Sequence, residues 1–238
     1  MTNIVLINQT TVLTDAQVGV VLPVLQTLFD RDFEPTWNTG LAVKVMQDDN
    51  AASGEWPIYL MDTTDIPGAG GYHEDDTAMP TGKVFVKDAM DAGEAWTVDL
   101  THEFLEMCGD PTTNVLIALP GMPGYSCLRE VGDAVEADQF GYQIDGVLVT
   151  DWCTPEYFYQ KGSNPPVPGS GSGVVARGLY DFMDHIHKPA PALLDGGYLG
   201  IRDPEGNWSE VSDFVRGALS RRARRTMGRL NRVARCAG

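Results

Sequence analysis

The segment Trp96–Pro111, WTVDLTHEFLEMCGDP, contains the side chains with the clearest chemical potential in the chain. His102 and Glu106 are four residues apart, and residues at that spacing lie on the same face of a helix, about one turn apart. An imidazole and a carboxylate placed in this way can bind one metal ion, because zinc accepts both kinds of ligand. The spacing therefore predicts half of a metal site on a helix.

Glu103 follows His102 directly, so the motif reads H-E-x-x-E. It differs by one residue from H-E-x-x-H, in which two histidines bind zinc and the glutamate takes a proton from water. We therefore predict that Glu103 is a general base beside the ion. With Glu106 in place of the second histidine, the site should also tolerate manganese or calcium. A solvated helix face is the alternative interpretation.

A catalytic metal site needs a third protein ligand, and the segment Arg129–Asp138, REVGDAVEAD, offers several carboxylates. We expect Glu130 to be the third ligand. Asp133 is the alternative ligand, or the partner of the far nitrogen of His102, and Glu136 is a more distant candidate. The same residues would also fit a plain acidic surface.

Other residues are weaker candidates. His73 lies in a glycine-rich loop before the presumed edge strand, where it could stabilise an oxyanion or lie near the cleft, although a structural role is the simpler expectation. His185 and His187 form H-x-H, which can bind metal from a strand, but a structural role is the simpler expectation. Three tyrosines could supply a hydroxyl that stabilises an oxyanion, although core packing is expected for them: Tyr142, Tyr157 and Tyr159.

The hydrophobic pattern predicts the elements that position these residues. A helix should begin at Thr14 or Asp15, where Gln17 completes the spacing of a capping box, and should run to about Asp30. A second helix should carry the metal motif from about Gly93 to Cys108, because the residue before Pro111 avoids helical geometry. Four strands are predicted: Ile4–Ile7, Leu41–Met46, Pro57–Asp62 and Gly82–Val86.

The remaining pattern is more irregular. Asp65–Gly71 should be a loop, and Glu130–Phe140 a short helix. Tyr142–Val149 should be a hairpin with Asp145-Gly146 as its turn, and Tyr198–Trp208 a second hairpin. Gly162–Gly173 should be a loop or lid. The mixture of helices and strands predicts an α+β fold.

THEFLEMCGDP followed by EVGDAVE resembles the zincin-like metallopeptidases. The similarity is greatest to a group in bacterial and tailed-phage genomes that has an H-E-x-x-E-x-x-x-D-P helix and a later E-[IV]-x-D. Plant exordium-like proteins carry a similar pattern. FEPTWNTGLAVKV and GAGGYHEDDTAMPTGKVFV also resemble the segments that precede the active-site helix in that group, so the resemblance covers roughly Asp15–Thr154.

The resemblance implies a zincin-like lobe, in which a backing helix and a twisted mixed sheet precede the active-site helix. It implies zinc, or another divalent ion, at His102, Glu106 and Glu130, with Glu103 as the base. It also implies that Lys83–Val86 is the edge strand that pairs with a peptide or protein substrate. The expected function is thus that of a zinc peptidase, or of a hydrolase that acts on another polymer such as cell-wall material.

The alternative function is structural. A catalytically inactive protein of this fold could belong to a phage virion or another assembly, with virion proteins as partners, and could dock through its C-terminal tail. The expected division of the chain is a zincin-like metal-binding domain at 1–160, an irregular, β-rich C-terminal lobe at 161–213 and an arginine-rich tail at 214–238.

The tail differs sharply in charge from the rest of the chain. The net charge is −16, yet all 33 acidic residues lie at or before Asp213, and eight arginines lie between Arg216 and Arg235. A basic amphipathic helix is expected over Val211–Val233, where it could bind nucleic acid, an acidic protein surface or an anionic membrane. Four of its arginines are the expected docking residues: Arg221, Arg222, Arg224 and Arg225.

Two further expectations concern compartment and cysteines. No run of about 18 apolar residues occurs, so no membrane span is predicted. No signal peptide is recognised either, and the cytoplasm or a virion is the expected location. The four cysteines form no C-x-x-C pair, so buried free thiols are expected, with a Cys127–Cys153 or Cys108–Cys127 bridge as the alternative.

Overall fold

The computed structural model describes residues 1–66, 69–74, 79–119, 121–159 and 176–212. These residues form an α+β fold, as the sequence predicts. Its elements, in chain order, are β1 (Thr2–Asn8), α1 (Asp15–Thr27), α2 (Glu34–Trp37), β2 (Val43–Gln47), β3 (Trp56–Met61), β4 (Gly71–Glu74), β5 (Thr81–Phe85), α3 (Val86–Asp91), α4 (Trp96–Gly109), β6 (Leu116–Ala118), β7 (Ser126–Leu128), β8 (Tyr142–Ile144), β9 (Val147–Val149), α5 (Pro155–Phe158), β10 (Tyr198–Arg202) and β11 (Trp208–Ser212).

The main sheet has five strands in the order β2-β1-β3-β5-β4. The first four run parallel to their neighbours, whereas β4 pairs antiparallel with β5, so the sheet is mixed. The expectation that Lys83–Val86 is the edge strand is wrong, because β5 lies between β3 and β4. The short strand β4, which falls where the sequence suggested the end of a loop, occupies that edge.

Helix α1 begins as its local sequence predicts. The side chain of Thr14 accepts a hydrogen bond from the backbone N–H of Gln17, and the Gln17 side chain accepts one from the backbone N–H of Thr14. This reciprocal capping satisfies two donors that the first turn would otherwise leave without partners. A π-helical turn over Leu28–Phe33 then continues the helix into α2.

Helix α4 carries the H-E-x-x-E motif through the middle of the molecule. It packs against β4, β5 and β9, and every residue from Val98 to Gly109 is buried. The helix ends at Gly109 with Asp110 as its C-cap residue, as the following proline predicts. The carboxylate of Asp110 accepts a hydrogen bond from the backbone N–H of Val115 over 2.8 Å, which fixes the chain direction just after the helix.

The segment after β7 differs from its prediction. Instead of one helix over Glu130–Phe140 it forms two 3₁₀ turns, Asp133–Val135 and Asp138–Phe140. The Asp138 carboxylate accepts a hydrogen bond from the backbone N–H of Ala95, just before α4. This contact over 43 residues has no counterpart in local sequence, and it ties the acidic segment to the motif helix.

Both predicted hairpins are present. β8 pairs with β9 around Asp145 and Gly146, which have φ values of 49° and 82°, as a two-residue turn of this type requires. β10 pairs with β11, and β10 also pairs with β7 in a second sheet of order β11-β10-β7-β6. Leu199 and Ile201 of β10 belong to the same apolar core as Ile4 of β1, so residues 176–212 share a core with the main sheet.

Three cysteines lie in the described part of the chain. Cys108, Cys127 and Cys153 are buried free thiols, which confirms the expectation for these three. Burial raises the pKa of the Cys127 thiol to about 12, so this thiol stays protonated and packs as a small apolar group. Within the described residues, no helix combines the length and the apolar character needed to cross a bilayer.

Candidate metal centre

Helix α4 places His102 and Glu106 side by side in the interior. They are 2% and 0% exposed, and His102 Nε2 lies 3.1 Å from Glu106 Oε1. The two side chains meet as the helical spacing predicts. The alternative interpretation of this motif as a solvated helix face is wrong, because all sides of the helix are covered.

A segment 27 residues further along the chain brings Asp133 to the same pair. Asp133 Oδ1 lies 3.3 Å from His102 Nε2, and one ligand atom from each of His102, Glu106 and Asp133 lies within 4.8 Å of the others. The backbone N–H of Gly132 also reaches Glu106 Oε1, over 3.3 Å. One imidazole and two carboxylates thus converge on a common point.

Glu130 lies on another side of the cluster. It is buried, and its Oε2 is 4.0 Å from Nε2 of His73. The residue that we expected first as the third ligand therefore lies beside His73, whereas Asp133, the expected alternative, lies beside His102. Glu136 is buried as well, so the interpretation of this segment as a plain acidic surface is wrong for Glu130, Asp133 and Glu136.

His73, which the sequence offered only as a weak candidate in a loop near the cleft, belongs to the buried cluster. It lies on the edge strand β4 and is 1% exposed. Its Nδ1 lies 3.5 Å from Glu103 Oε2 and 3.6 Å from Glu106 Oε2. Its other nitrogen, Nε2, lies 3.1 Å from the carbonyl oxygen of Asp110 at the end of α4. The only sequence signal was a histidine between a glycine-rich stretch and an acidic run.

Glycine allows the edge strand to approach the motif helix closely. A Cβ atom at Gly71 would lie 2.9 Å from Cγ and Oε1 of Glu103, and equally close to the backbone oxygen of Lys83. Any larger residue at this position would displace Glu103 or separate β4 from β5. Gly71, two residues before His73, is therefore needed for the close packing of β4 on Glu103.

A second glycine holds the ring of His102. A Cβ atom at Gly132 would lie 2.5 Å from His102 Nδ1 and 2.7 Å from Cε1, so the backbone of Gly132 packs directly on the imidazole. Nδ1 is buried and has no hydrogen-bond partner among the described residues. The expectation that a carboxylate binds this far nitrogen is wrong, because the carboxylate of Asp133 lies at Nε2 instead.

The carboxylates shift the titration of His102. Burial by itself would lower the pKa of the imidazole, but the charge of Glu106 and the hydrogen bonds of Asp133 and Glu106 outweigh it and hold the pKa well above its ordinary value. Without a metal ion, the neighbouring carboxylates therefore favour the protonated form of the ring. A divalent ion and this proton compete for the same nitrogen.

The residues present fit a divalent cation. Four carboxylates and two imidazoles lie together in the interior, and the carboxylates outnumber the imidazoles. Buried carboxylates are costly unless positive charge compensates them. Imidazole nitrogen together with carboxylate oxygen is a ligand set that zinc and manganese accept. The six residues are His73, His102, Glu103, Glu106, Glu130 and Asp133.

A separate buried cluster involves His185. Its Nδ1 lies 3.1 Å from Asp151 Oδ2 and 3.6 Å from Asp181 Oδ2. Burial, together with the hydrogen bond to Asp181, raises the pKa of Asp151 well above its ordinary value. Both carboxylates also accept backbone N–H groups, such as those of His185 and Ile186 at Asp181, so they stabilise the local turns. His187 is exposed and lies beside Asp184, and 185–187 is not a strand, so H-x-H does not form a metal site from a strand.

The three candidate tyrosines have structural partners. The hydroxyl of Tyr142 donates to Asp32, and that of Tyr157 donates to the carbonyl oxygen of Ala192. The hydroxyl of Tyr159 accepts a hydrogen bond from Arg129. These contacts agree with the expectation of core packing.

Comparison of the chain with protein-family models, curated proteins and solved structures finds no match. The tail arginines that were expected to dock a partner, and the expected loop Gly162–Gly173, lie outside the described residues.

Proposed function

We propose that this protein is a metal-dependent hydrolase, most simply a peptidase, whose ion is held by His102, Glu106 and Asp133. One observation carries the proposal: these three side chains, from α4 and from the segment after β7, converge in the interior with Glu103 on the same helix. The resemblance of the motif to zincin-like metallopeptidases supplies the class of reaction.

Each residue has a definite role in this proposal. When bound, a divalent ion supplies Lewis acidity, which makes water a better nucleophile and polarises a carbonyl oxygen. Glu103 receives the proton of the attacking water and returns it to the leaving amine. Gly132 and Gly71 keep His102 and Glu103 in position by packing on them without a side chain of their own.

The edge strand supports a peptide as the substrate. β4 is the outermost of the described strands in the main sheet. An extended peptide can add to such an edge by main-chain hydrogen bonds. β4 packs against α4, and a peptide bound along β4 would therefore lie next to the motif helix. The edge in this proposal is Gly71–Glu74 and not Lys83–Val86.

The test is a metal analysis combined with a hydrolysis assay. The full chain, purified without chelator, should contain bound divalent ion and should cleave an unfolded protein such as casein. Glu103→Gln should lower the cleavage rate at least about a hundredfold, as expected for loss of a general base, while the ion of His102, Glu106 and Asp133 stays bound. Glu205→Gln, at an exposed position, is the matched control and should leave cleavage unchanged.

The proposal would be refuted if the purified protein contained no divalent ion and its melting temperature did not change on addition of EDTA. Cleavage that survives in Glu103→Gln would refute the role of Glu103 as the base.

A structural role for the metal is the second candidate, and burial favours it. Each of the six cluster residues is at most 2% exposed, and closed, fully surrounded ligands are typical of structural zinc sites. In this case EDTA should lower the melting temperature while no hydrolysis is detected. The protein would then be an assembly component, and truncation after Asp213 should reduce its incorporation into the assembly.

A further inference from the structure

The two oxygens of Glu106 face two different histidines. Oε1 lies 3.1 Å from His102 Nε2, whereas Oε2 lies 3.6 Å from His73 Nδ1. His102 shares the helix with Glu106, and His73 comes from the edge strand β4. The carboxylate therefore stands between two imidazoles that belong to different elements.

The proton of His73 is fixed by its backbone contact. Nε2 lies 3.1 Å from the carbonyl oxygen of Asp110, and a carbonyl oxygen can only accept, so Nε2 carries the hydrogen. In the neutral ring, the lone pair of Nδ1 then faces Glu103 and Glu106. Histidines that bind metal commonly donate their other N–H to a backbone carbonyl in this way.

The distances around His73 Nδ1 suit ligands of a common ion. The separations of 3.5 Å to Glu103 and 3.6 Å to Glu106 are longer than an N–H···O hydrogen bond of about 2.7–3.2 Å. Two ligands bound tetrahedrally at about 2.0–2.2 Å from one ion lie about 3.3–3.6 Å apart. Both separations from Nδ1 therefore match the spacing of two ligands of one cation, and one ligand atom from each of His73, Glu103 and Glu106 lies within 4.8 Å of the others.

We propose that the cluster holds two divalent cations bridged by the carboxylate of Glu106. The first lies between His102, Glu106 Oε1 and Asp133, which is the ion of the proposed function, and the inference rests on that function to this extent. The second lies between His73 Nδ1, Glu103 and Glu106 Oε2. Ions bridged in this way lie about 3.5–4 Å apart in two-metal hydrolytic sites.

The second cation changes the part that Glu103 plays. With one ion, Glu103 would act as the base. With two ions, Glu103 would be a ligand of the second cation, which would supply Lewis acidity to the attacking water. Glu103→Gln then loses one of two ions, whereas the one-ion mechanism requires that it keeps all bound metal.

The test uses Mn²⁺ as the probe on the full chain after chelator treatment. Equilibrium dialysis should give about two Mn²⁺ per chain, and the electron paramagnetic resonance spectrum should show magnetic coupling between the ions, since they lie about 3.5–4 Å apart. His73→Asn should retain one Mn²⁺ with the resolved hyperfine pattern of an isolated ion. His187→Asn, at an exposed histidine outside the cluster, is the matched control and should retain both ions and their coupling.

The outcomes separate this inference from the proposed function. One Mn²⁺ per wild-type chain, with an uncoupled spectrum and intact hydrolysis, overturns the second cation and leaves the hydrolase standing. Binding of no Mn²⁺ overturns both. Two bound Mn²⁺ ions without magnetic coupling would refute the bridging role of Glu106. Two ions retained in a folded His73→Asn variant would refute His73 as a ligand of the second ion. If His73→Asn does not fold, the stoichiometry and spectrum of the wild-type chain decide the question alone.

Discussion

Gly132 offers a way to move His102 without touching a charged group. Its φ and ψ are −93° and −28°, which alanine adopts without strain. The effect of Gly132→Ala therefore comes from the added methyl group and not from the backbone. That methyl carbon would lie 2.5 Å from His102 Nδ1, 2.7 Å from Cε1 and 3.0 Å from Cγ.

The size of the effect follows from these distances. Non-bonded heavy atoms pack at about 3.5–4.0 Å, so the ring must move by about 1 Å. His102 Nε2 now lies 3.1 Å from Glu106 and 3.3 Å from Asp133, and a shift of that size is about half of a metal–nitrogen bond of about 2.0–2.1 Å. We expect metal affinity to fall about 10- to 100-fold. We also expect overpacking to lower the free energy of unfolding by about 1–3 kcal/mol.

The assay is a competition titration of Zn²⁺ against a fluorescent chelator, together with urea unfolding of the metal-free protein. Gly19→Ala is the matched control, since among the described residues a Cβ atom at this helical glycine would meet only Gln47 Oε1, at an ordinary 3.7 Å. The control should bind metal normally and should gain up to about 1 kcal/mol of stability. Zn²⁺ affinity in Gly132→Ala within twofold of the wild type would show that His102 is not a ligand or that its ring is not held by Gly132.

Three further predictions follow from other contacts. Gly71→Ala should displace Glu103, whose Cγ and Oε1 lie 2.9 Å from the new methyl group; the hydrolysis rate should fall about tenfold or more, and an unchanged rate would argue against Glu103 in catalysis. Phe104→Ala, in the apolar core, should cost about 3–5 kcal/mol of unfolding free energy in urea titrations, and a loss below 1 kcal/mol would contradict its packing. The pKa of Asp151 is raised by burial and by Asp181, so its proton stabilises the folded state below the unfolded pKa of about 3.9, and this stabilisation is lost as pH rises through the folded pKa. Asp151→Asn should flatten that loss in urea titrations across pH 4–8, and an unchanged pH dependence would place the titration elsewhere.

Local sequence was sufficient to predict the structure where the interacting residues are close together in the chain. The Thr14–Gln17 capping box spans three residues, and the Asp145-Gly146 turn depends on two residues that tolerate positive φ. The end of α4 before Pro111 is likewise a local steric effect. The meeting of His102 with Glu106 belongs to the same class, since the period of the helix places side chains four residues apart together.

Local sequence did not predict the conformation of the acidic segment after β7. Its residues have the spacing of a helix, yet it forms two 3₁₀ turns, because its groups bind distant partners. Gly132 packs on His102 and donates to Glu106, and Asp138 accepts the N–H of Ala95. These contacts join residues that are 26 to 43 positions apart in the chain. No pattern within the segment itself predicts them.

The sequence by itself determined a helix with His102 and Glu106 on one face. It also identified the acidic segment Arg129–Asp138 as the source of a further carboxylate. Only the tertiary structure decided that Asp133, and not Glu130, lies beside His102. It also decided that His73 enters the cluster, because the antiparallel pairing of β4 with β5 carries that histidine across α4. Helical periodicity acts between neighbours in the chain, whereas the choice of the distant side chains in the cluster depends on how strands and turns pack around the helix.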